Sequence, residues 1–341
     1  MTRLSPRNWI GLVVVAASLF GASPTAHAES DQQLVSRFDQ AEAAGRYDDA
    51  LQAALAIVKR HPDATFWAFN AGRMHARLGQ GDEAIAMLRV SADGGFTGIA
   101  SLEDHTDLDS VRKRPEFAAI LAKVRANAQK RFDEFKAEAL KHKHPEYVPR
   151  SLPKDRKPGA IIALHGSGGT GAQMVNACKR TCNELGLICI APDAVRPQGN
   201  GYSWTYRDES AWLVEQMVKK AIEDHGADPE RIYLVGFSQG ANIALVMTRT
   251  HAKDFAGVVP VCGHYESGNA TASARATPPA ATYLVTGARD AWNETYAIAQ
   301  KEFEADGGKA EVRIVPGMGH AMVNTAELTR AIEWCAKQPG T

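Results

Sequence analysis

The pattern of apolar and polar positions divides the chain into two kinds of sequence. Residues 31–141 are rich in alanine and charged residues, and their apolar positions recur at helical spacing. From about residue 146 onward, short apolar runs alternate with helix-length segments, which is typical of buried parallel strands with helices on both faces of a sheet. We therefore predict an all-α domain over 31–141 and an α/β domain with a mostly parallel, doubly wound sheet over 146–341.

Six apolar runs are predicted to be strands of that sheet. Ligands of such sheets bind at the carboxyl ends of the strands, so the polar residues directly after each run carry the functional prediction. The six runs are 161–164, 187–190, 232–235, 257–261, 283–285 and 312–315.

The run 232–235 leads into Gly236-Phe-Ser238-Gln-Gly240, and an apolar-periodic helix begins at once. Strand, sharp turn and helix with Gly-x-Ser-x-Gly at the bend predict a nucleophile elbow, in which glycines let neighbouring backbone approach an exposed serine. The first turn of the helix also directs free amide N–H groups at the reacting centre. Ser238 is the predicted nucleophile.

A glycine-rich turn, His165-Gly-Ser-Gly-Gly169, follows the run 161–164. Acylation of a serine needs two N–H donors for the oxyanion, and we predict them from Gln239 and from Ser167 or Gly168. The alternative is a phosphate-binding loop, but the stretch lacks the ending of a P-loop and the full spacing of the dinucleotide fingerprint.

Two further strand ends carry an acid and a base. Asp290 follows the run 283–285, and His320 follows the run 312–315. The chain order Ser, Asp, His is that of an α/β-hydrolase, with His320 as the general base and Asp290 holding its tautomer. Taken alone, Asp290 could cap a helix and His320 could be a loop histidine. Asp193 is a second-ranked acid because it precedes the serine.

These motifs carry a resemblance to a known family. On Leu164–Gly169, the Gly-Phe-Ser-Gln-Gly elbow and Pro316–His320, residues 158–341 resemble α/β-hydrolases of the esterase branch. They are similar to polyhydroxybutyrate-depolymerase-like and feruloyl-esterase-like enzymes and to the phospholipase/carboxylesterase group. The resemblance implies hydrolysis of a small or oligomeric carboxylic ester through an acyl-enzyme, with no metal or organic cofactor.

Aromatic and histidine residues near the strand ends are predicted to contact the substrate. For His165 a loop-orienting role is the alternative, and for the loop that follows the 187–190 run a packing role is equally compatible with the pattern. The predicted substrate contacts are His165, Tyr202, Trp204, His264 and Trp292.

The helical region contains an internal repeat. Residues 45–51 align with residues 79–85 at an offset of 34, which is the tetratricopeptide period. The region therefore resembles tetratricopeptide repeats, with a further helix predicted near 116–140. Two roles remain open: a platform for a protein partner or substrate, or a structural appendage that covers part of the catalytic domain.

The N-terminus predicts export. Arg3 and Arg7 precede a short apolar stretch, and Ala26-His-Ala28 supplies small residues at a cleavage site, so 1–28 is a predicted signal peptide. The apolar stretch is too short for a stable membrane anchor. We expect a periplasmic or extracellular protein. Its formal net charge of zero gives no indication of a nucleic-acid partner.

The cysteines are predicted to be mostly buried small apolar residues. An oxidising compartment permits disulfides, and the pairing stays open. No metal site is expected, because Cys178 and Cys182 lack further ligands at suitable spacing and His142 and His144 lie in a predicted solvated linker. The five cysteines are Cys178, Cys182, Cys189, Cys262 and Cys335.

Three functions compete on this sequence. The leading one is an exported serine esterase. A serine peptidase of the prolyl-oligopeptidase type shares the triad, although its usual propeller has no counterpart here. The third is a non-catalytic tetratricopeptide interaction protein whose hydrolase domain only binds a ligand. Hydrolysis of a chromogenic ester separates the first from the third, and preference for ester or peptide separates the first two.

Overall fold

The computed structural model describes residues 29–266 and 278–338. The predicted signal peptide, 1–28, lies outside the described residues. The described chain forms two compact units, one before Gln129 and one from Gln129 onward. Within the described residues, no helix is long and apolar enough to cross a membrane.

Helices build the first unit, as predicted. Ser30 caps the first helix, since its hydroxyl accepts from the Gln33 N–H while the Gln33 side chain accepts from the Ser30 N–H. The helices are α1 (Asp31–Ala43), α2 (Tyr47–Arg60), α3 (Thr65–Arg77), α4 (Gly81–Asp93), α5 (Ile99–Asp104) and α6 (Pro115–Ala139).

The 34-residue repeat has the same turn geometry in both copies. Gly45 and Gly79 both adopt left-handed backbone, with φ of 71° and 74°, which a glycine reaches at little cost. The next N–H in each copy bonds a carbonyl five residues back, Arg46 to Ala41 and Gln80 to His75, each at 2.9 Å. The two sequence copies therefore end the first helix of each repeat with the same kind of turn, while the tetratricopeptide resemblance stays a prediction.

The boundary between the units differs from the predicted 141–146. It falls inside α6, which continues without a break from Pro115 to Ala139. The reason is that apolar positions continue along the helix. Phe135 and Ala139 are buried in the core of the second unit, so the end of α6 belongs there.

A mostly parallel sheet with helices on both faces forms the second unit, as predicted. All six predicted strands are present. The strands are β1 (Glu146–Tyr147), β2 (Gly159–Leu164), β3 (Leu187–Ile190), β4 (Arg196–Gln198), β5 (Gly201–Ser203), β6 (Ile232–Phe237), β7 (Gly257–Val261), β8 (Thr282–Gly287) and β9 (Ala310–Val315). The helices are α7 (Gly171–Leu185), α8 (Arg207–Glu223), α9 (Gln239–Thr250), α10 (Asn293–Ala305) and α11 (Thr325–Ala336).

The strand order of the main sheet is β1-β3-β2-β6-β7-β8-β9. Within this sheet, as far as the structure describes it, β1 alone is antiparallel to its neighbour, with Glu146 opposite Ile190. In the parallel part, Leu164 of β2 lies opposite Gly236 of β6, and Phe237 lies opposite Val261 of β7. The carboxyl ends of β2, β6 and β7 therefore lie side by side, which is the edge where the site was predicted. The short hairpin β4–β5 is separate from this sheet.

Successive residues of each central strand enter opposite cores. In β2, Ile162 packs in a cluster with residues of α8 and α9, whereas Ile161 packs in a cluster with residues of α7 and α11. Both side chains are fully buried. This two-sided burial explains why the strands read as continuous apolar runs.

Candidate active site

Ser238 lies in a strained turn between β6 and α9. Its backbone has φ of 53° and ψ of −115°, an uncommon conformation for a residue other than glycine. The glycines on either side are required by close contacts. A Cβ on Gly236 would lie 2.3 Å from the carbonyl oxygen of Gly240, and one on Gly240 would lie 2.4 Å from that of Leu164. The turn thus depends on both glycines of the motif.

Ser238, His320 and Asp290 form one hydrogen-bonded chain. The His320 Nε2 lies 2.9 Å from the Ser238 Oγ, and the His320 Nδ1 lies 2.6 Å from the Asp290 Oδ2. The Asp290 side chain is fully buried, while the His320 side chain is 46% exposed. Asp290 also accepts from the Trp292 N–H at 2.9 Å, which orients its carboxylate. A proton on Nδ1 leaves Nε2 free to accept the proton of the serine.

Backbone contacts hold the aspartate and histidine loops together. The Arg289 N–H donates to the Met318 carbonyl at 2.9 Å, and the Ala288 N–H donates to Val315 at 3.0 Å. A Cβ on Gly287 would lie 2.3 Å from the Met318 oxygen, so the two loops cross closely there. The distance between Asp290 and His320 is therefore set by main-chain geometry as well as by their own bond.

The glycine-rich loop after β2 lies against the nucleophile. A Cβ on Gly166 would approach the Ser238 Cβ to 3.2 Å. Within this loop the Gly168 N–H already donates to the Tyr202 carbonyl at 2.9 Å. Gly168 is thus unsuited as an oxyanion donor, which corrects that part of the prediction. For the Ser167 and Gln239 N–H groups we find no backbone acceptor in the described part of the chain.

The β4–β5 hairpin supports the glycine-rich loop. Besides the bond from Gly168, the Tyr202 N–H donates to the Gly169 carbonyl at 3.0 Å, and the Ser167 hydroxyl donates to the Gln198 Oε1 at 2.8 Å. Tyr202 therefore contacts the site through its backbone. Its ring lies edge-on to His142, 6.2 Å between centroids. This loop-holding role of the hairpin was missed by the sequence analysis, because three-residue strands leave no apolar pattern.

His165 and Trp204 were predicted to contact the substrate, but both are buried and neither lines the cleft. Their exposed fractions are 1% and 3%. The His165 Nε2 accepts from the Ala194 N–H at 3.1 Å, and the Trp204 Nε1–H donates to the His165 carbonyl at 2.9 Å. Burial lowers the pKa of His165, consistent with a neutral ring. Both residues stabilise the glycine-rich loop from within the core. These are the roles given above as alternatives, loop orientation for His165 and packing for the loop that contains Trp204.

Gln239 fixes the end of the hairpin with its side chain. Its Oε1 accepts from the Trp204 N–H at 3.0 Å and from the Ser203 hydroxyl at 3.1 Å, and its Nε2 donates to the Trp204 carbonyl at 3.1 Å. The residue after the nucleophile therefore connects the elbow to the hairpin. The sequence prediction used only its backbone N–H.

His264 and Trp292 form an aromatic pair beside the acid. Their ring centroids lie 4.4 Å apart, and Trp292 is 44% exposed, unusual for so large an apolar side chain. The His264 N–H donates to the Asn242 side chain at 2.7 Å, and Asn242 in turn donates its N–H to the Ser238 carbonyl. The pair is thus anchored to the acid loop on one side and to the nucleophile helix on the other.

The cysteines are buried and unpaired. Cys178, Cys182 and Cys189 lie in the core between α7 and the sheet. Cys262 follows β7 and has a positive φ of 52°. Burial raises the pKa of its thiol.

The family match found by comparison with known proteins lies within the second unit. Residues 206–337, which include Ser238, Asp290 and His320, match the family described as phospholipase/carboxylesterase. Feruloyl esterase B of Talaromyces stipitatus is 32% identical over 118 residues, 32% of each chain. Poly(3-hydroxyalkanoate) depolymerase C of Paucimonas lemoignei is 28% identical over 129 residues, 35% of this chain and 30% of that protein.

Acetylxylan esterase A of Aspergillus ficuum is 31% identical over 121 residues, 32% of this chain and 38% of that protein. The chain spans about a third of the length of these curated relatives. A crystal structure of a phospholipase/carboxylesterase from Dyadobacter fermentans superposes with a TM-score of 0.45 at 20% identity, covering 56% of this chain and 96% of that chain.

Proposed function

We propose that the second unit of this chain is an α/β-hydrolase of the esterase branch and that it hydrolyses carboxylic esters with a serine nucleophile. The observation that carries the proposal is the hydrogen-bonded chain from Ser238 through His320 to the buried Asp290. The strained backbone of Ser238 adds to it, since such strain persists where the surrounding structure holds the residue in place for a function.

The reaction begins with attack of the Ser238 Oγ on the ester carbonyl carbon. His320 takes the serine proton on Nε2, and Asp290 stabilises the imidazolium that results. The tetrahedral intermediate collapses, the carbon–oxygen bond to the alcohol breaks, and His320 returns the proton to the departing alkoxide. Water, deprotonated by His320, then attacks the acyl-enzyme, releases the carboxylic acid and restores the serine hydroxyl.

The oxyanion is stabilised by the backbone N–H groups of Gln239 and Ser167. Gln239 begins α9, so its N–H lies in the first turn, where amides have no acceptor within the helix. Ser167 belongs to the loop that lies against Ser238, and the hairpin fixes its side chain. Donors fixed before the reaction need no reorganisation as charge develops.

The substrates are esters with an aromatic acyl group or an acetylated sugar. Feruloyl and acetylxylan esterases are among the curated relatives. The exposed Trp292 ring, backed by His264, offers a flat apolar surface next to the acid. Export through the N-terminal signal gives access to such extracellular esters. A protein partner for the helical repeats stays a prediction.

The test compares hydrolysis of short p-nitrophenyl esters and of methyl ferulate by the wild type, Ser238→Ala and Ser210→Ala. Ser210 is a matched control, a buried serine of α8 whose hydroxyl bonds only the Tyr206 carbonyl among its described contacts. We expect Ser238→Ala to lower kcat by several orders of magnitude and Ser210→Ala to keep most activity. A wild type inert on every ester, or equal losses in both variants, would contradict the proposal.

A further inference from the structure

A third ligand-type side chain lies against the Asp290–His320 pair. Cys262 follows β7, and its Sγ, a carboxylate oxygen of Asp290 and a ring nitrogen of His320 all lie within 4.8 Å of one another. In the described part of the chain this is the one place where three such donors converge. The thiol has no part in the proposed ester chemistry.

The three donors are chemically suited to a thiophilic divalent cation. Thiolate, imidazole and carboxylate together are ligands that Zn²⁺ accepts, usually in a tetrahedral arrangement that leaves one position for water. Hard cations such as Mg²⁺ and Ca²⁺ prefer all-oxygen sets and would gain little from the sulfur. The His320 side chain is 46% exposed, so one of the three donor residues faces solvent, and the buried thiol and carboxylate lie beside it.

We propose that Cys262, Asp290 and His320 form an inhibitory binding site for Zn²⁺ and similar soft divalent cations. The inhibitory consequence rests on the proposed esterase function, whereas cation binding itself does not. The ion binds the Cys262 Sγ, the Asp290 carboxylate and the His320 Nδ1, and it replaces the hydrogen bond between the last two.

The proton balance explains the inhibition. The thiol proton leaves to solvent as the Sγ–metal bond forms. The proton on the His320 Nδ1 also leaves, and solvent returns one to Nε2, so the ring stays neutral in the other tautomer. An Nε2 that carries a proton cannot accept one from the Ser238 hydroxyl 2.9 Å away. Donor atoms around tetrahedral zinc lie about 3.5 Å apart, so the 2.6 Å contact between Asp290 and His320 opens by about 1 Å.

The first experiment measures p-nitrophenyl acetate hydrolysis during titration with ZnCl₂, with MgCl₂ and CaCl₂ as hard-cation controls. The proteins are the wild type, Cys262→Ala and Cys262→Ser, with folding checked by circular dichroism. We expect zinc to inhibit the wild type and the half-inhibiting concentration to rise by about tenfold or more in both variants, because one of three ligands is lost.

A second readout is independent of turnover. Ser238→Ala and Ser238→Ala/Cys262→Ala are titrated with Co²⁺, and the thiolate-to-cobalt absorption band is followed. Both proteins keep Cys178, Cys182, Cys189 and Cys335, so a difference in the band reports Cys262 alone. We expect a stronger band when Cys262 is present.

Equal zinc sensitivity in the wild type and Cys262→Ala, or identical cobalt spectra, would overturn the proposal. A protein without esterase activity in any sample would instead overturn the proposed function, while the cobalt spectra still decide the cation site.

Discussion

Replacing Asp290 with asparagine tests the acid of the proposed triad with little change in shape. The carboxylate is buried and accepts from two donors, the His320 Nδ1 and the Trp292 N–H. The amide oxygen of an asparagine can keep the bond from Trp292. Its NH₂ group then faces His320 and must donate to Nδ1, which forces the imidazole proton onto Nε2. The base would present a proton, rather than a lone pair, to Ser238.

The size of the effect follows from this change of tautomer. Loss of the correctly oriented tautomer in a Ser-His-Asp triad costs about 10⁴-fold in kcat. At about 1.36 kcal/mol for each factor of ten, this corresponds to about 5.4 kcal/mol of transition-state stabilisation. KM should change far less, because Asp290 is buried and does not touch the substrate.

The assay measures kcat and KM for p-nitrophenyl acetate in the wild type, Asp290→Asn and Asp193→Asn. Asp193 is the alternative acid, and it accepts from the Gly171 N–H at 2.6 Å at the start of α7, a bond that an asparagine oxygen retains. We expect Asp193→Asn to stay within about threefold of the wild type, as for a side chain outside the triad. A fall in kcat of less than about tenfold in Asp290→Asn, or a larger fall in kcat in Asp193→Asn than in Asp290→Asn, would refute the reasoning.

Two further predictions concern the elbow and the pH dependence of stability. Gly240→Ala places a Cβ 2.4 Å from the Leu164 carbonyl oxygen. We therefore expect a loss of about 1–3 kcal/mol of unfolding free energy in urea and a lower kcat. Gly319→Ala is the control, because its Cβ would meet no atom within 4 Å, and it should change neither the unfolding free energy nor kcat. The Arg313 hydrogen bond lowers the pKa of Glu327 from its ordinary 4.5, so its contribution to stability is present above that value and is lost as the pH falls. Glu327→Gln should therefore lower the unfolding free energy by about 1 kcal/mol at pH 7. The difference from the wild type should shrink below about pH 4. A difference that does not depend on pH would contradict this prediction.

Five of the six predicted strands were predictable because burial on both faces turns each into a continuous apolar run, whereas the edge strand β9 is only partly buried. Ser238, Asp290 and His320 were placed at strand ends by the same logic, and the structure brings their side chains into hydrogen-bond contact. The order of the strands in the sheet is a long-range property that no local run specifies. This order determines which of the loops become neighbours.

The surroundings of the serine were less predictable for a physical reason. Whether the Gly168 N–H is free depends on Tyr202, 34 residues away, in a hairpin whose first strand is mostly polar. Trp204, directly after the same hairpin, is buried in the core and donates to the His165 carbonyl, although the sequence pattern predicted an aromatic residue in the cleft. A local pattern marks a turn as functional, but tertiary contacts decide which of its N–H groups remain free.

The most direct test of the proposed serine chemistry is to locate a covalent adduct by mass spectrometry. The protein is treated with a fluorophosphonate and digested with trypsin, which cuts after Arg231 and Arg249 and releases one peptide in which Ser238 is the single serine. We predict stoichiometric phosphonylation of that peptide, matching the loss of esterase activity, and none in Ser238→Ala. An active enzyme with no adduct there, or with the adduct on another residue, would contradict the assignment of Ser238 as the nucleophile.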